Sequence, residues 1–446
     1  MLQVKLEKLG PIVEGEFQVK KLTVLCGENN TGKTYASYSI YGLLCELRHL
    51  LFRKSLIDQL IVEDQGQFDI DLSDSVNSLK DALKLMSEKT SEQLYKIFSA
   101  KQETFSDAKI SIGVNEQSFL DFIYQTEETI SIPIPEMDNQ FIKKAGSFIA
   151  TIIYSTHTND AKMTIRNLIK GFIHILLMKA FDGAVFLLPA ERSGLNLFYR
   201  ELNATRNELI QGLGVDLLNN IGNEDVRRRL QQTISPYPTP ISDYLSFLNR
   251  FDAYDDEESP FIDLAQEIQT TILKGSYEIQ DQQIIYKNEK GTPFHLHISS
   301  STVKSLFGLV FYLTYIAKPG QYLIIDEPEL NLHPDNQRKL AKVLAKIANR
   351  GINVILSTHS DYLIKEFNNL IMLSKMSKNR VELMQKYGYE ESQLLNPEDV
   401  SPVLFVDDRV VPMEIDPVEG IIAETFDNVI NRYNEVANEI YYALQE

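Results

Sequence analysis

Cysteine is nearly absent: Cys26 and Cys45 are the two thiols in 446 residues, too few for a disulfide framework or a metal-ligand cluster. Positive charge is also short. Lys and Arg number 44 against 62 Asp and Glu, a formal net charge of −18. That balance disfavours a protein that coats nucleic acid over its whole surface. DNA contact through a local basic groove stays open, but the charge does not indicate it. Basic clusters are few (Lys20-Lys21, Arg227 to Arg229, and Lys375 to Arg380), and each reads as solvated surface. Long apolar runs are missing as well. The most apolar stretches, 171–178 and 305–317, fall short of the roughly 18 to 20 residues that span a bilayer. The first residues carry no basic region followed by an apolar one. These absences predict a cytoplasmic protein with no membrane partner. Hydrophobic content of 43% and charged content of 24% are those of a globular chain, long enough for two or three domains' worth of core.

What is present centres on Tyr322-Leu-Ile-Ile-Asp-Glu-Pro-Glu-Leu-Asn-Leu-His-Pro334. The apolar run predicts a strand buried on both faces, as in the middle of a parallel sheet. It delivers Asp326 and Glu327 to the strand's C-terminal edge, where open α/β sheets bind ligands, and Pro328 stops it. An aspartate there can hold Mg²⁺, and the adjacent glutamate can polarise a water for attack on a phosphate.

A second strand, Leu22 to Cys26, runs into Gly27-Glu28-Asn29-Asn30-Thr31-Gly32-Lys33-Thr34, which fits G-x-x-x-x-G-K-[ST] at every position. The residues after Thr34 have helical spacing. Strand, loop and helix is the order a phosphate loop requires: the glycines let N–H groups curl inward and the helix adds its positive end. Lys33 would meet the β- and γ-phosphates, and the Thr34 hydroxyl would complete the Mg²⁺ coordination.

Two further strands are predicted to end at the same edge. Ile352 to Thr358 leads to His359, whose imidazole can contact a γ-phosphate or the attacking water. Ala184 to Leu188 leads to Glu191 and Arg192, which either reach the nucleotide or form a structural ion pair. The run Ser299-Ser300-Ser301-Thr302 opens an apolar helix at 306–317 and suits helix capping. Residues 46–183 read as a mostly helical insertion, with helical spacing over 51–62, 75–100 and 141–181 and no sustained heptads. It serves as a lid or as an oligomerisation module. Short strands and turns are predicted over 277–298, and a strand pair with an Asp407-Asp408 turn is followed by a helix over 418–444.

The phosphate loop, the Ser299-centred run, Ile324 to Pro334 and Ser357 to Ser360 stand in the order seen in ABC-type ATPases, and the chain most resembles their RecF, SMC and OLD-like branch. The resemblance implies an α/β fold, an ABC-type P-loop ATPase head with a mixed sheet flanked by helices. The head would be discontinuous, 1–45 and 184–380, around the insertion 46–183, with a strand-helix extension at 381–446. Carried over residue by residue, Lys33 and Thr34 become the Walker A lysine and Mg²⁺ ligand. Asp326 becomes the Walker B aspartate and Glu327 the catalytic base. Asn331 to His333 form the D-loop, and His359 is the switch histidine. Ser299, Ser300 and Ser301 stand where the family has Leu-Ser-Gly-Gly, with serine in place of both glycines. Glu191 and Arg192 fall where the Q-loop is sought.

ATP and Mg²⁺ are the implied cofactors. In that class the nucleotide lies between two heads, which implies a homodimer or higher homo-oligomer. Compact members with an insertion in place of a long coil are often components of prokaryotic anti-phage systems, working with a separate effector, a nuclease or a toxin. Two other readings stay open: a nucleotide-held scaffold or sensor with slow or no hydrolysis, and a DNA-repair or chromosome-maintenance ATPase.

Overall fold

The computed structural model describes residues 2–53, 66–134, 137–154, 184–202, 237–250, 258–280, 283–416, 418–422, 435–436 and 440–441. The chain opens with strands β1 (Leu2–Leu9), β2 (Ile12–Val19) and β3 (Leu22–Gly27), then helix α1 (Lys33–Arg53). Next come β4 (Gly66–Asp71), α2 (Ser75–Ile97), β5 (Lys109–Val114), α3 (Glu116–Gln125), β6 (Glu128–Ile134), β7 (Met137–Lys143) and β8 (Ile149–Tyr154). Strand β9 (Val185–Leu188) leads to the helical residues 192–202, here α4, and then to α5 (Thr239–Leu248) and α6 (Ile262–Ile268). After β10 (Gly275–Gln280), β11 (Gln283–Asn288) and β12 (Pro293–His295) the chain forms α7 (Ser301–Phe311), β13 (Tyr322–Asp326), α8 (Pro334–Asn349), β14 (Asn353–Thr358) and α9 (Asp361–Lys375). Strands β15 (Val400–Val406) and β16 (Arg409–Pro412) follow, and then a short antiparallel pair, β17 (Ile415–Asp416) and β18 (Gly420–Ile421).

Among the described residues, nine strands make one mixed sheet in the order β5-β1-β2-β16-β15-β3-β14-β13-β9. From β15 to β9 every neighbour is parallel. Such strands must be apolar on both faces, and they are. In β13, Tyr322 and Ile324 pack into one core layer with α1 and α2, while Leu323 and Ile325 pack into the other with α7, α8 and α9. Strand β14 divides the same way, with Ile355 on one side and Val354 and Leu356 on the other. The expected α/β architecture, a mixed sheet flanked by helices, is the one observed. No helix among the described residues is long and apolar enough to cross a membrane.

Two expectations meet a different pattern in the described residues. Among the described residues of the insertion, α2 and α3 share the chain with five strands. One of these, β5, edges the main sheet, and the others form a separate sheet, β4-β8-β7-β6. The helical spacing read over 141–181 gives strand at 141–143 and 149–154. Phe141, Ala150 and Ile152 are buried between more exposed neighbours, and a two-residue period also satisfies i, i+4, so spacing alone misassigns it. Residues 155–183 lie outside the described residues, as do 54–62 of the stretch read over 51–62. The tail is not a mere extension, since β15 and β16 sit inside the main sheet between β3 and β2. Residues 418–421 form a turn and a short strand rather than helix, and most of the remaining predicted tail helix is outside the described residues. The Asp407-Asp408 turn is present, joining β15 to β16.

Strand β5 has one free edge, and α2 covers it. The Ser91 hydroxyl accepts from Ile110 N–H (3.0 Å) and donates to Ile110 C=O (3.1 Å), and the Ser87 hydroxyl accepts from Ile112 N–H (3.0 Å). Two side chains thus satisfy backbone groups that would otherwise template another strand.

Candidate functional site

Pairing register fixes where the parallel strands run out. Cys26 of β3 faces Thr358 of β14, Ser357 faces Asp326 of β13, and Ile325 faces Leu188 of β9. The segments leaving these strands therefore emerge at one level: the loop from Gly27, then His359, Glu327 and Arg192. This is the carboxyl edge at which open parallel sheets hold ligands.

The loop 27–34 needs its glycines. Gly27 has φ +143°, and a Cβ there would lie 2.3 Å from the Phe405 carbonyl oxygen of β15. Gly32 has φ +102° and abuts Ile12. Asn30 also adopts a positive φ, 65°, which asparagine tolerates better than most residues. Glu28, Asn29 and Asn30 are exposed, and the Thr31 hydroxyl donates to Glu28 C=O at 2.8 Å. Lys33 opens α1, and its Nζ donates to the carbonyls of Gly27 (2.8 Å) and Glu28 (2.6 Å). Burial lowers the pKa of this ammonium, opposed by Glu327 and Asp326.

Asp326 is 1% exposed. Its carboxylate accepts from the Thr34 hydroxyl at 3.1 Å and from the Ser357 hydroxyl. Burial nevertheless holds its pKa above the usual carboxylate value, outweighing both bonds and the cations Arg192 and Lys33. Glu327 is also raised, first by burial, with His359 pulling the other way. Its backbone sits at φ +50°, an unfavourable region for a residue with a β-carbon. His359 Nδ1 is 3.7 Å from Glu327 Oε1 and 3.5 Å from Glu329 Oε1.

Glu329 is a residue to which the sequence attached no role. It is 5% exposed, and its Oε1 accepts from the Thr358 hydroxyl (2.7 Å) and His359 N–H (2.9 Å), fixing the turn that carries the imidazole. Its position two residues after Glu327 was the available signal. His333 caps α8, with Nδ1 accepting from Asp335 N–H at 3.3 Å.

Arg192 matches neither expected role. Its guanidinium is 2% exposed and donates to four main-chain carbonyls: Ser305 (3.2 Å), Pro189 (3.1 Å), Asp326 (2.7 Å) and Glu327 (2.7 Å). It points inward and, among the described residues, pairs with no carboxylate. Glu191 is exposed.

Among the described residues, no hydrogen bond joins the serine run to the phosphate loop. Ser300 caps α7, accepting from Val303 N–H at 3.3 Å, and the Ser299 hydroxyl donates to His295 C=O at 3.0 Å. Ser301 is exposed at the start of α7. The adjacent Thr302 hydroxyl donates to Asn331 C=O at 2.7 Å, and Asn331 Nδ2 donates to the Ser193 hydroxyl at 3.1 Å. The run and the 331–333 segment therefore adjoin along one rim, on which Ser300, Ser301, Asn331 and His333 are exposed.

The arrangement suits a magnesium-bound nucleotide. Among the described residues, no three His, Cys, Asp or Glu converge as a metal cage. Mg²⁺ characteristically needs only one or two protein oxygens beside water and phosphate, and the adjoining Thr34 hydroxyl and Asp326 carboxylate offer that number. Cys26, beside the loop, has its thiol pushed up to about 12 by burial and stays protonated.

A family model described as AAA ATPase domain matches residues 3–364. Similar solved structures include the Smc head domain with an extended coiled coil from Pyrococcus furiosus, bound to the C-terminal domain of ScpA. It is 12% identical, with 98% of this chain and 100% of that chain covered and a TM-score of 0.34. The SMC head domain from Thermotoga maritima is 10% identical, with 93% and 98% covered and a TM-score of 0.30. No curated protein matches the chain.

Proposed function

The chain belongs to the AAA ATPase domain family, and from that premise we propose that it is a Mg²⁺-dependent ATPase that works as a self-associating head. The observation that carries the reading is the shared sheet edge. Thr34 and Asp326 touch there at 3.1 Å, and Glu327 and His359 stand 3.7 Å apart beside them. Lys33 exchanges the carbonyls of Gly27 and Glu28 for the β- and γ-phosphate oxygens. Thr34 and Asp326 would hold magnesium, which would supply charge neutralisation at the transferring phosphoryl group. Glu327 accepts a proton from the attacking water, and its raised pKa strengthens it as a base. His359 orients that water or the γ-phosphate. The rim of Ser299 to Ser301 and Asn331 completes the site of a second copy, so that association gates turnover.

In this reading the ATPase controls a separate effector, a nuclease or toxin, in prokaryotic anti-phage defence. Its support is the motif order together with a compact insertion in place of a long coil. One observation favours a second reading, a nucleotide-held scaffold with slow turnover. The serine run lacks glycines, and the Ser300 hydroxyl already caps its own helix. A direct DNA-repair role has less support, given a net charge of −18.

The test is ATP turnover as a function of protein concentration, with mass in solution measured with and without Mg-ATP. Turnover that rises more steeply than linearly, and is lost in Glu327→Gln while that variant's dimer persists with ATP, is expected. Stable ATP binding with no turnover selects the scaffold. Equal turnover in wild type and Glu327→Gln removes the assigned base.

A further inference from the structure

A guanidinium carries five N–H donors and does not lose its charge in a protein. Burying one without a carboxylate is costly unless fixed acceptors surround it. Among the described residues, Arg192 meets that condition with four main-chain carbonyls. Two of these belong to the consecutive residues Asp326 and Glu327, each at 2.7 Å, and a third belongs to Ser305 in α7. The same stretch of α7 is held by two more side chains. Asn196 Nδ2 donates to Lys304 C=O at 2.7 Å, and the Tyr277 hydroxyl donates to Val303 C=O. The Ser305 anchor is therefore itself fixed.

Glu327 sits at φ +50°, an unfavourable conformation for a residue with a β-carbon. Such a residue persists only where its surroundings over-determine it. The Arg192 fork bonds the carbonyls of Glu327 and of the residue before it. The Ser357 hydroxyl and carbonyl accept from Glu327 N–H at 3.3 and 3.1 Å. The residue is thus gripped on both sides.

We propose that Arg192 is a positioning residue for hydrolysis: its fork locks the Glu327 backbone at its positive φ and ties that segment to α7, the helix that presents the serine rim. This rests on the reading of Glu327 as base. A lysine at 192 keeps the charge but replaces a planar fork with a single nitrogen, which cannot reach carbonyls on three segments at once.

The experiment is a double-mutant cycle of Arg192→Lys and Glu327→Gln on the full chain, with Mg-ATP binding measured beside steady-state and long single-turnover hydrolysis. Arg192→Lys is expected to lower kcat by about 10- to 100-fold, the scale of a small misplacement of a reacting group, with KM and ATP affinity little changed. Added to Glu327→Gln, it should cause no further loss. The same loss in both backgrounds, or a rise in KM at unchanged kcat, overturns the proposal. Should Arg192→Lys not fold, the neutral Arg192→Gln carries the same comparison. Failure of both to fold reduces Arg192 to a clamp of the core and overturns it equally. A wild type whose turnover Glu327→Gln leaves intact defeats the base assignment itself, a result separate from any additivity at Arg192.

Discussion

Gly27→Ala probes the sheet and the phosphate loop together. Gly27 ends β3 opposite Phe405 of β15, and its φ of +143° lies where side-chain-bearing residues are strained. Strain of that kind costs about 1–3 kcal/mol. The new Cβ would also lie 2.3 Å from the Phe405 carbonyl oxygen, a main-chain atom in a paired strand. Overpacking against a part that cannot swing away adds about 1–3 kcal/mol. The sum, ~2–6 kcal/mol, is a large share of a typical total of about 5–15 kcal/mol. Two controls separate the terms. Gly146 has φ +80° with nothing within 4 Å, so Gly146→Ala carries backbone strain alone. Gly113 has no positive φ and its nearest atom is 3.8 Å away, so Gly113→Ala should be within about 0.5 kcal/mol of neutral. The assay is urea unfolding without nucleotide, monitored by far-UV circular dichroism because the chain has no tryptophan. The expected order of destabilisation is Gly27, then Gly146, then Gly113. A Gly27→Ala midpoint no lower than that of Gly146→Ala refutes the close approach of β15 to the loop.

Lys33→Ala should lose nucleotide binding while keeping its fold, because burial already opposes the ammonium it removes. Calorimetric titration reads the binding, and thermal melts should lose the shift of about 2.7 kcal/mol expected for wild type at a hundredfold excess of ATP over Kd. Asp326→Asn in EDTA should melt higher than wild type at neutral pH. The folded-state pKa is raised, so stability from this group is fullest in acid and falls as pH rises through that pKa. The advantage of the variant should therefore shrink toward acid, and an advantage that grows there contradicts the sign. Ser87→Ala with Ser91→Ala strips the cover from β5 and should cost about 1–3 kcal/mol per orphaned group. Concentration-dependent association in light scattering should accompany it, and a monodisperse, equally stable variant would count against the capping role.

How much of this the sequence discloses depends on whether the cause is local. The two-faced burial of Tyr322 to Asp326 is written in consecutive apolar residues, and the loop 27–34 in residue types whose backbone demands are their own. Arg192 shows the opposite case. Its partners are carbonyls of 189, 305, 326 and 327, and main-chain atoms leave no trace in residue type. Glu329 was visible as a carboxylate in the acidic motif, but its burial depends on Thr358 and His359 from the neighbouring strand. The insertion misled for a third reason. Apolar residues spaced by four satisfy a helix and a strand alike, and only the alternation of burial across 149–153 separates them.

Strand β3 lies between β14 and β15, and the Lys21–Asp399 ion pair beside it joins residues 378 positions apart. At about 5–20 residues per second, a ribosome needs roughly 20 to 75 s to cover that distance. For most of that interval Leu22 to Cys26 waits with neither of its two partners, and once β14 (Asn353–Thr358) is made it still lacks β15. The loop 27–34 hangs from that incompletely paired strand throughout. The chain therefore commits to this sheet only after β15 has been made. Until then its hydrophobic centre stays uncovered, and a chain cut before Val400 yields a sticky intermediate rather than a smaller folded domain.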